Sequence, residues 1–236
     1  MGHSFLTPSC GSCRICDLSL FSGLDEKSLN ELSKNKSDNI YKKGQIIFNE
    51  SNHPSGVYAI YNGKVKIYKQ GNSGKEQILQ LAGPGGVLGY RAIICNDRFN
   101  VSAATLEETI LCFIPKEFFL SLLHESVRLS KNVMEMLSKD LGTTQDKTIN
   151  LTQKPVKARI AEAILNLYSY YGSNAEEGHL NVELSRTNLS NIAGTTLEST
   201  VRALNTLKKE NIIQVVGKKI TVLNIDVLSE SAGIFA

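Results

Sequence analysis

The sequence predicts an α+β protein from three patterns. Short alternating runs fill the first half, a long helical stretch occupies the middle, and two helices followed by a hairpin lie near the C-terminus. The chain has 236 residues, which is typical of two domains, and its 42% hydrophobic and 21% charged residues suffice for a buried core. The net charge of +3 is too small to indicate a partner, so motifs have to indicate binding.

Alternating runs separated by glycine-containing turns fill the segment from Tyr41 to Ile114. The letters KVKIY show the alternation most clearly, and YNGK, GNSGK and GPGG are the turn signals. Many short strands at this spacing predict an antiparallel sandwich or barrel. The runs are Gln45–Phe48, Val57–Ile60, Lys64–Tyr68, Gln77–Leu81, Val101–Thr105 and Ile110–Ile114. The polar segment 25–39 before them is predicted to be a short helix.

A long helical stretch is predicted from Pro115 to about Asn150. Proline suits the first position of a helix, and apolar residues recur three or four apart behind it. Gly142 is the residue at which such a helix would break or bend. The helix packs on its own sheet domain or forms a seam between two copies. Another helix is predicted over 155–171, with the domain boundary near 148–156.

The segment LSRTNLSNIAGTTLESTVRALNTLKKENIIQVVGKKITVLN predicts a helix–turn–helix followed by a hairpin wing. Its first helix covers Arg186–Ala193, Gly194 supplies the turn, and the second helix covers Leu197–Glu210. The wing consists of Ile213–Val216 and Ile220–Leu223 around a Gly-Lys turn. Either Thr195 or Thr196 can cap the second helix, and Thr195 with Glu198 has capping-box spacing.

The second helix of this motif has an apolar face and a polar face. The residues predicted to face the core are Leu197, Thr200, Leu204 and Leu207. Glu198 and Arg202 lie on the other face near the N-terminal end, which is the end of a recognition helix that enters the major groove. Arginine can donate two hydrogen bonds to guanine and glutamate can accept one from cytosine. The alternative is an ordinary ion pair on an exposed helix. The predicted DNA contacts are Thr196, Glu198, Ser199, Val201 and Arg202.

Cys10, Cys13 and Cys16 form a C-x2-C-x2-C motif near the N-terminus. This spacing lets three thiolates converge on one metal site, as in iron–sulfur ferredoxins. A zinc site and a segment without metal are the alternatives. The sequence has neither a secretory signal nor an apolar run long enough to span a bilayer, so we expect a cytoplasmic protein. Its five cysteines are then expected to be thiols or metal ligands rather than disulfides.

Several strings, in their order and spacing, resemble the CRP/FNR family of the cyclic-AMP receptor protein and the fumarate–nitrate reduction regulator. They are KKGQIIFNE, VYAIYNGKVKIY, SGKEQILQLAGPGGVLG, ILCFIP and AGTTLESTVRAL. The resemblance implies a cysteine-containing N-terminal lead at 1–24, a β-roll sensor domain at 25–115, a dimerisation helix at 116–150 and a winged helix–turn–helix domain at 151–236. It also implies a homodimer that binds palindromic double-stranded DNA, contacts RNA polymerase and does not engage a membrane.

The resemblance further implies roles for single residues. Glu198 and Arg202 match the Glu-x-x-x-Arg base-reading pair of the family, whereas Val201 stands where the FNR branch usually has serine. Cys112 matches the distant fourth ligand of that branch's iron–sulfur cluster, although the N-terminal cysteines there have a longer second gap. The implied site is an iron–sulfur cluster of the 4Fe-4S type on Cys10, Cys13, Cys16 and Cys112, which senses oxygen, nitric oxide or redox state. A lone buried core thiol is the alternative for Cys112.

The family's cyclic-nucleotide site departs here from its usual residues. Gly89 is present, but Tyr90 stands where a ribose-binding glutamate would be, and Phe99 stands in place of the phosphate-binding arginine, with Arg98 next to it. Because a buried phosphate needs a cation, cyclic AMP is not expected to bind. Haem or another small ligand in the β-roll, at unknown residues, is the alternative trigger. An iron–sulfur electron carrier is the alternative of another class, and no motif indicates an enzyme.

Overall fold

The computed structural model describes residues 7–173 and 178–234. The first six residues of the lead, residues 174–177 of the polar loop before the helix–turn–helix, and residues 235–236 lie outside the described residues. The chain divides into two compact units. One consists of Met1–Ser73 and Leu79–Gly142, and the other of Gly74–Ile78 and Thr143–Ala236.

Two four-stranded sheets form the β-domain. One has the strand order β1-β8-β3-β6 and the other β2-β7-β4-β5, and the predicted antiparallel pairing is confirmed where the register is described. The strands are β1 Ser37–Tyr41, β2 Ile46–Phe48, β3 Gly56–Asn62, β4 Val65–Gln70, β5 Glu76–Ala82, β6 Val87–Leu88, β7 Ser102–Thr105 and β8 Thr109–Pro115. Alternation along the strands buries one face, so Ile60, Val65 and Leu111 are at most 1% exposed.

The stretch predicted as one helix from Pro115 forms two helices. Pro115 is the N-cap rather than the first helical residue, α4 covers Lys116–Glu125, and α5 covers Val127–Gln153. Between them Ser126 has extended backbone angles, and its hydroxyl accepts a 3.2 Å hydrogen bond from the Leu129 amide. Ser126 therefore ends one helix and caps the next, as serine at this position favours. Gly142 lies inside α5 and does not break it.

The N-terminal segment contains three short helical pieces. They are a 3-10 turn at Cys10–Ser12, α1 at Arg14–Asp17 and α2 at Glu26–Asn35. Helix α2 is shorter than the predicted helix over 25–39, because residues 37–39 belong to β1 and pair with β8. The strand pairing, which the local polar sequence does not show, overrides the helical pattern there.

The second unit contains the predicted helix–turn–helix and hairpin. Its helices are α6 Val156–Tyr171, α7 Arg186–Ile192, α8 Leu197–Lys209 and α9 Ile225–Ser231, and its strands are β9 Ile213–Val216 and β10 Lys219–Val222. Gly194 forms the turn between α7 and α8 with φ of 59°, and an added Cβ would lie 2.5 Å from the Leu151 side chain. This turn therefore requires glycine. The sequence did not predict α9, whose Leu228 is fully buried.

Candidate metal centre and nucleic-acid interface

Four of the five cysteines line one pocket of the first unit, which we call the cysteine pocket. Three come from the lead and its short helices, and the fourth comes from strand β8. Most of the remaining wall is apolar. The lining includes Cys10, Cys13, Cys16, Cys112, Phe21 and Leu32. The fifth cysteine, Cys95, is exposed and does not line the pocket.

Hydrogen bonds within the cysteine motif and to helix α2 hold the motif in place. The amide of Cys10 donates a 2.7 Å hydrogen bond to the hydroxyl of Ser33 on α2. Within the motif, the amide of Cys13 donates to the carbonyl oxygen of Cys10, and the amide of Cys16 donates to that of Cys13. The chain therefore forms a turn between each cysteine and the next. Cys10 and Cys13 are 6% and 8% exposed. The motif therefore packs against α2 and the sheet residues that line the cysteine pocket.

The thiols of the pocket differ in acidity because their surroundings differ. A side-chain hydrogen bond between Cys10 and Cys16 lowers the pKa of Cys10 to about 6 and raises the pKa of Cys16. Burial raises the pKa of the Cys112 thiol to about 11, and the charge of Lys36 acts in the opposite direction. If these cysteines bound a metal as thiolates, the metal–sulfur bonds would offset the cost of ionising Cys16 and Cys112 in this apolar pocket.

A buried ion pair lies beside Cys112. The ammonium of Lys36 donates a 2.9 Å hydrogen bond to Oδ1 of Asp38, and the two side chains are only 3% and 4% exposed. The amide and hydroxyl of Thr7 donate to Oδ2 of Asp38 at 3.0 and 2.9 Å, and Lys36 also donates to the Thr7 hydroxyl. Although burial favours the neutral forms, these contacts raise the pKa of Lys36 and lower the pKa of Asp38.

The sequence alone does not reveal this group of residues. Lys36 follows the polar helix α2 and looks like a solvated charge, and Asp38 looks like part of the same polar stretch. The signal that could have revealed them is strand register, because Asp38 is the cross-strand partner of Cys112 in the β1–β8 pair. That register is a long-range pairing that no local pattern reports.

Residues in the segment that matches the family's nucleotide site make contacts within the protein itself. Gly89 has φ of 86° and starts the short helix α3, Tyr90–Ile94. Phe99 is buried and stacks on Phe48 with ring centroids 4.0 Å apart. The guanidinium of Arg98 donates to the carbonyl oxygen of Ser51 at 3.2 Å. The aromatic stack therefore occupies the position at which the family pattern would have an arginine.

The exposed side of helix α8 presents the predicted DNA contacts. Thr196 is the N-cap, and its hydroxyl accepts a 3.2 Å hydrogen bond from the Ser199 amide. Arg202 donates to a carboxylate oxygen of Glu198, and these side chains are 77% and 74% exposed, respectively. Val201, at 39% exposed, lies at the border of the face. Glu198 and Arg202 thus form an ion pair in the free protein, and both side chains remain accessible to a partner.

Two details of the α8 prediction are wrong. Leu197 is 50% exposed rather than buried, and Ala203 packs in the core beside Thr200, Leu204 and Leu207. The capping box of Thr195 and Glu198 does not form, because Thr195 is buried and Thr196 caps the helix. Both errors arise at the first turn, where the position of the cap decides which side chains point inward.

An antiparallel β-domain followed by a long helix and a winged helix–turn–helix is the architecture of a class of DNA-binding transcription regulators. The sequence matches the cyclic nucleotide-binding domain family over residues 39–126 and the Crp-like helix-turn-helix domain family over residues 158–231. Within residues 7–173 and 178–234, no helix has the length and apolar character needed to cross a membrane.

Relatives match nearly the whole chain. Regulatory protein HlyX of Actinobacillus pleuropneumoniae is 30% identical over 97% of this chain and 95% of its own length. The fumarate and nitrate reduction regulatory protein of Vibrio cholerae is 30% identical over 95% of this chain and 90% of its own. The structure of FixK2 from Bradyrhizobium japonicum shares the fold, with a TM-score of 0.74, 22% identity, and coverage of 85% of this chain and 99% of that chain. The chain belongs to the CRP/FNR family of transcription regulators, and it is not an enzyme.

Proposed function

We propose that this DNA-binding regulator senses oxygen, nitric oxide or redox state through an iron–sulfur cluster of the 4Fe-4S type. Cys10, Cys13, Cys16 and Cys112 are its ligands. The observation that carries the proposal is that these four cysteines line one pocket although nearly one hundred residues separate the motif from Cys112. The regulator acts in the cytoplasm as a homodimer on palindromic double-stranded DNA, where it contacts RNA polymerase.

The donor set suits a cluster better than a single ion. Four cysteine thiolates are the usual ligands of such clusters, each binding a different iron. In the described ranges 7–173 and 178–234, no group of three or more His, Cys, Asp or Glu side chains is placed to hold one metal ion. Four cysteines around one pocket are the ligand set that such a cluster requires. A bound cluster supplies the sensitivity to oxidants, and the protein supplies four thiolates and an apolar wall.

The lead connects the cysteine pocket with the long helix. Asn132 on α5 donates hydrogen bonds of 2.9 and 2.8 Å to the carbonyl oxygens of Leu20 and Ser22. Phe21 packs edge-on against Phe119 of α4, with ring centroids 6.5 Å apart. A change in the position of the lead therefore acts directly on α4 and α5. Any ligand that favours the docked lead favours the helix packing that goes with it.

Exposed apolar residues on α5 support the dimer. Val127, Met134 and Leu141 are seven residues apart and 86%, 60% and 61% exposed. A seven-residue apolar repeat on a helix is typical of a seam between two helices. It favours the interpretation in which two copies of α5 cover each other.

We propose that helix α8 reads the DNA. Arg202 donates to a guanine and Glu198 accepts from a cytosine in the major groove. Thr196 and Ser199, at the N-terminal end of α8, lie where a recognition helix approaches the phosphates and bases, and Val201 lies where an apolar contact with a thymine methyl group is available.

The direct test is anaerobic purification followed by iron, sulfide and visible-absorption analysis. We expect iron and sulfide in equal amounts. Exposure to air should bleach the visible absorption, and the dimer seen in sedimentation and the affinity for DNA should be lost at the same time. Zinc in place of iron, or a dimer and a DNA affinity that are the same without metal, would contradict the cluster and leave the DNA-binding regulator intact.

A further inference from the structure

The cysteine pocket contains a charge that the ligand set does not explain. Of the described residues that line it, Lys36 alone carries a charged side chain. Its ammonium lies 3.9 Å from Sγ of Cys112 and donates toward that sulfur. Burying a lysine in an apolar wall is unfavourable unless the charge meets a partner. Asp38 is that partner, and the same ammonium also brings a positive charge to the sulfur of a proposed ligand.

A cluster held by four thiolates would be stabilised by this positive charge. The ligands bring four negative charges, which exceed the positive charge of the iron–sulfide core, and an apolar pocket screens this excess poorly. A cation near a ligand sulfur lowers the free energy of the negatively charged centre. Hydrogen bonds and charges around a metal site commonly change its affinity and its reduction potential.

Contacts among Lys36, Asp38, Thr7 and Cys112 define the position of the Lys36 ammonium. Asp38 accepts from it through Oδ1, while Oδ2 of Asp38 is occupied by the amide and hydroxyl of Thr7. The Thr7 hydroxyl also lies 3.7 Å from the Cys112 sulfur. The ammonium is thus held between a carboxylate and the sulfur, and Asp38 partly cancels its field.

We infer that Lys36 is an outer-sphere cation for the cluster, which holds a positive charge against the Cys112 ligand, and that Asp38 sets how much of that charge the cluster experiences. The inference rests on the proposed function and adds to it two positioning residues that do not ligate iron. Lys36 and Asp38 are then expected to have opposite effects on the reduction potential of the cluster. Removing Lys36 disfavours the more negative, reduced cluster, whereas neutralising Asp38 favours it.

The test uses the full chain loaded with its cluster under nitrogen, with the variants Lys36→Met, Lys36→Arg and Asp38→Asn. Lys64→Met is the control. It removes a lysine that forms a 2.8 Å ion pair with Glu107 but does not line the cysteine pocket. The readouts are the midpoint potential for one-electron reduction at an electrode and the rate at which an iron chelator removes the visible absorption. Thermal unfolding of the metal-free variants reports the structural effect separately.

We expect a more negative midpoint potential for Lys36→Met, a more positive one for Asp38→Asn, and wild-type values for Lys36→Arg and Lys64→Met. Loss of the cluster from Lys36→Met should be roughly tenfold faster, the lower end for outer-shell partners. Shifts of the same sign in Lys36→Met and Asp38→Asn, or no shift in either, overturn the inference. If Lys36→Met does not fold, Asp38→Asn alone decides by its sign. A wild-type chain that takes up no iron overturns the proposed function, and this inference with it.

Discussion

The hydroxyl of Tyr90 donates a 2.5 Å hydrogen bond to Oδ2 of Asp140 on the long helix α5. Burial and the neighbouring carboxylate raise the pKa of Tyr90, so this phenol remains a protonated donor at neutral pH. Tyr90 stands at the position where the cyclic-nucleotide pattern has a ribose-binding glutamate. In the nucleotide-binding pattern this position contacts the ligand, whereas here Tyr90 forms a hydrogen bond between the β-domain and α5.

Cyclic AMP is therefore not expected to bind at physiological concentration. A phenol engaged with Asp140 does not replace a carboxylate acceptor, and the stacked Phe99 ring occupies the position expected for the phosphate-binding arginine. Isothermal titration calorimetry with cyclic AMP should show no heat of binding. Micromolar affinity would contradict this prediction, and loss of that affinity in Arg98→Ala would then identify the phosphate contact.

Tyr90→Phe should lower the free energy of unfolding by about 1 kcal/mol, because it removes one hydrogen bond to a partly exposed carboxylate. Chemical denaturation of the metal-free protein measures the change. Tyr41→Phe, at a half-buried tyrosine on β1, provides the comparison for removal of a hydroxyl. Equal effects of the two variants would show that the Tyr90–Asp140 contact contributes no stability of its own.

Cys112→Ala and Cys13→Ala should each lower the iron content and weaken DNA binding under nitrogen, because each removes a ligand from the cysteine pocket. Cys95→Ala should change neither property, since Cys95 is exposed and lies outside that pocket. Iron analysis and fluorescence anisotropy with a labelled palindrome measure both quantities. If Cys112 is only a packed core thiol, its variant keeps iron and DNA affinity and loses thermal stability.

Arg202→Ala should cost about 1–3 kcal/mol of binding free energy at the preferred site and relax the choice of base at one guanine. The fold should be unaffected, because an exposed ion pair between residues four apart contributes little to stability. Binding to a randomised set of sites measures the preference. Lys209→Ala, at the far end of α8, should weaken binding about equally for all sequences. An unchanged preference in Arg202→Ala would show that Arg202 does not read a base.

Local patterns in the sequence were sufficient for most elements. Alternation predicted six of the eight strands of the β-domain, all but β1 and β6. The glycine turn with its following apolar face predicted α7, α8 and the wing. Ser126 shows where this reasoning fails, since the apolar repeat continues across it while its hydroxyl caps a new helix. A periodic pattern reports which face is buried, and a cap depends on backbone angles that the pattern does not contain.

The candidate sites divide in the same way. The cysteine motif and the Glu198–Arg202 spacing are visible in the sequence because their members are close along the chain. The ion pair of Lys36 and Asp38 with Cys112 is not visible, because it arises from the pairing of β1 with β8, more than seventy residues away. Docking of the lead likewise depends on Asn132 and Ser33, which look like ordinary surface residues in their helices.

The order of strands has a consequence for biosynthesis. Strand β8 lies between β1 and β3 in its sheet, yet it is the last of the eight strands to leave the ribosome. Until residues 109–115 emerge, the nascent chain lacks both the strand that joins β1 to β3 and the sulfur of Cys112. Closing so long a loop is a late event in folding. Iron delivered to the nascent chain before that point would meet only three of the four proposed ligands, Cys10, Cys13 and Cys16.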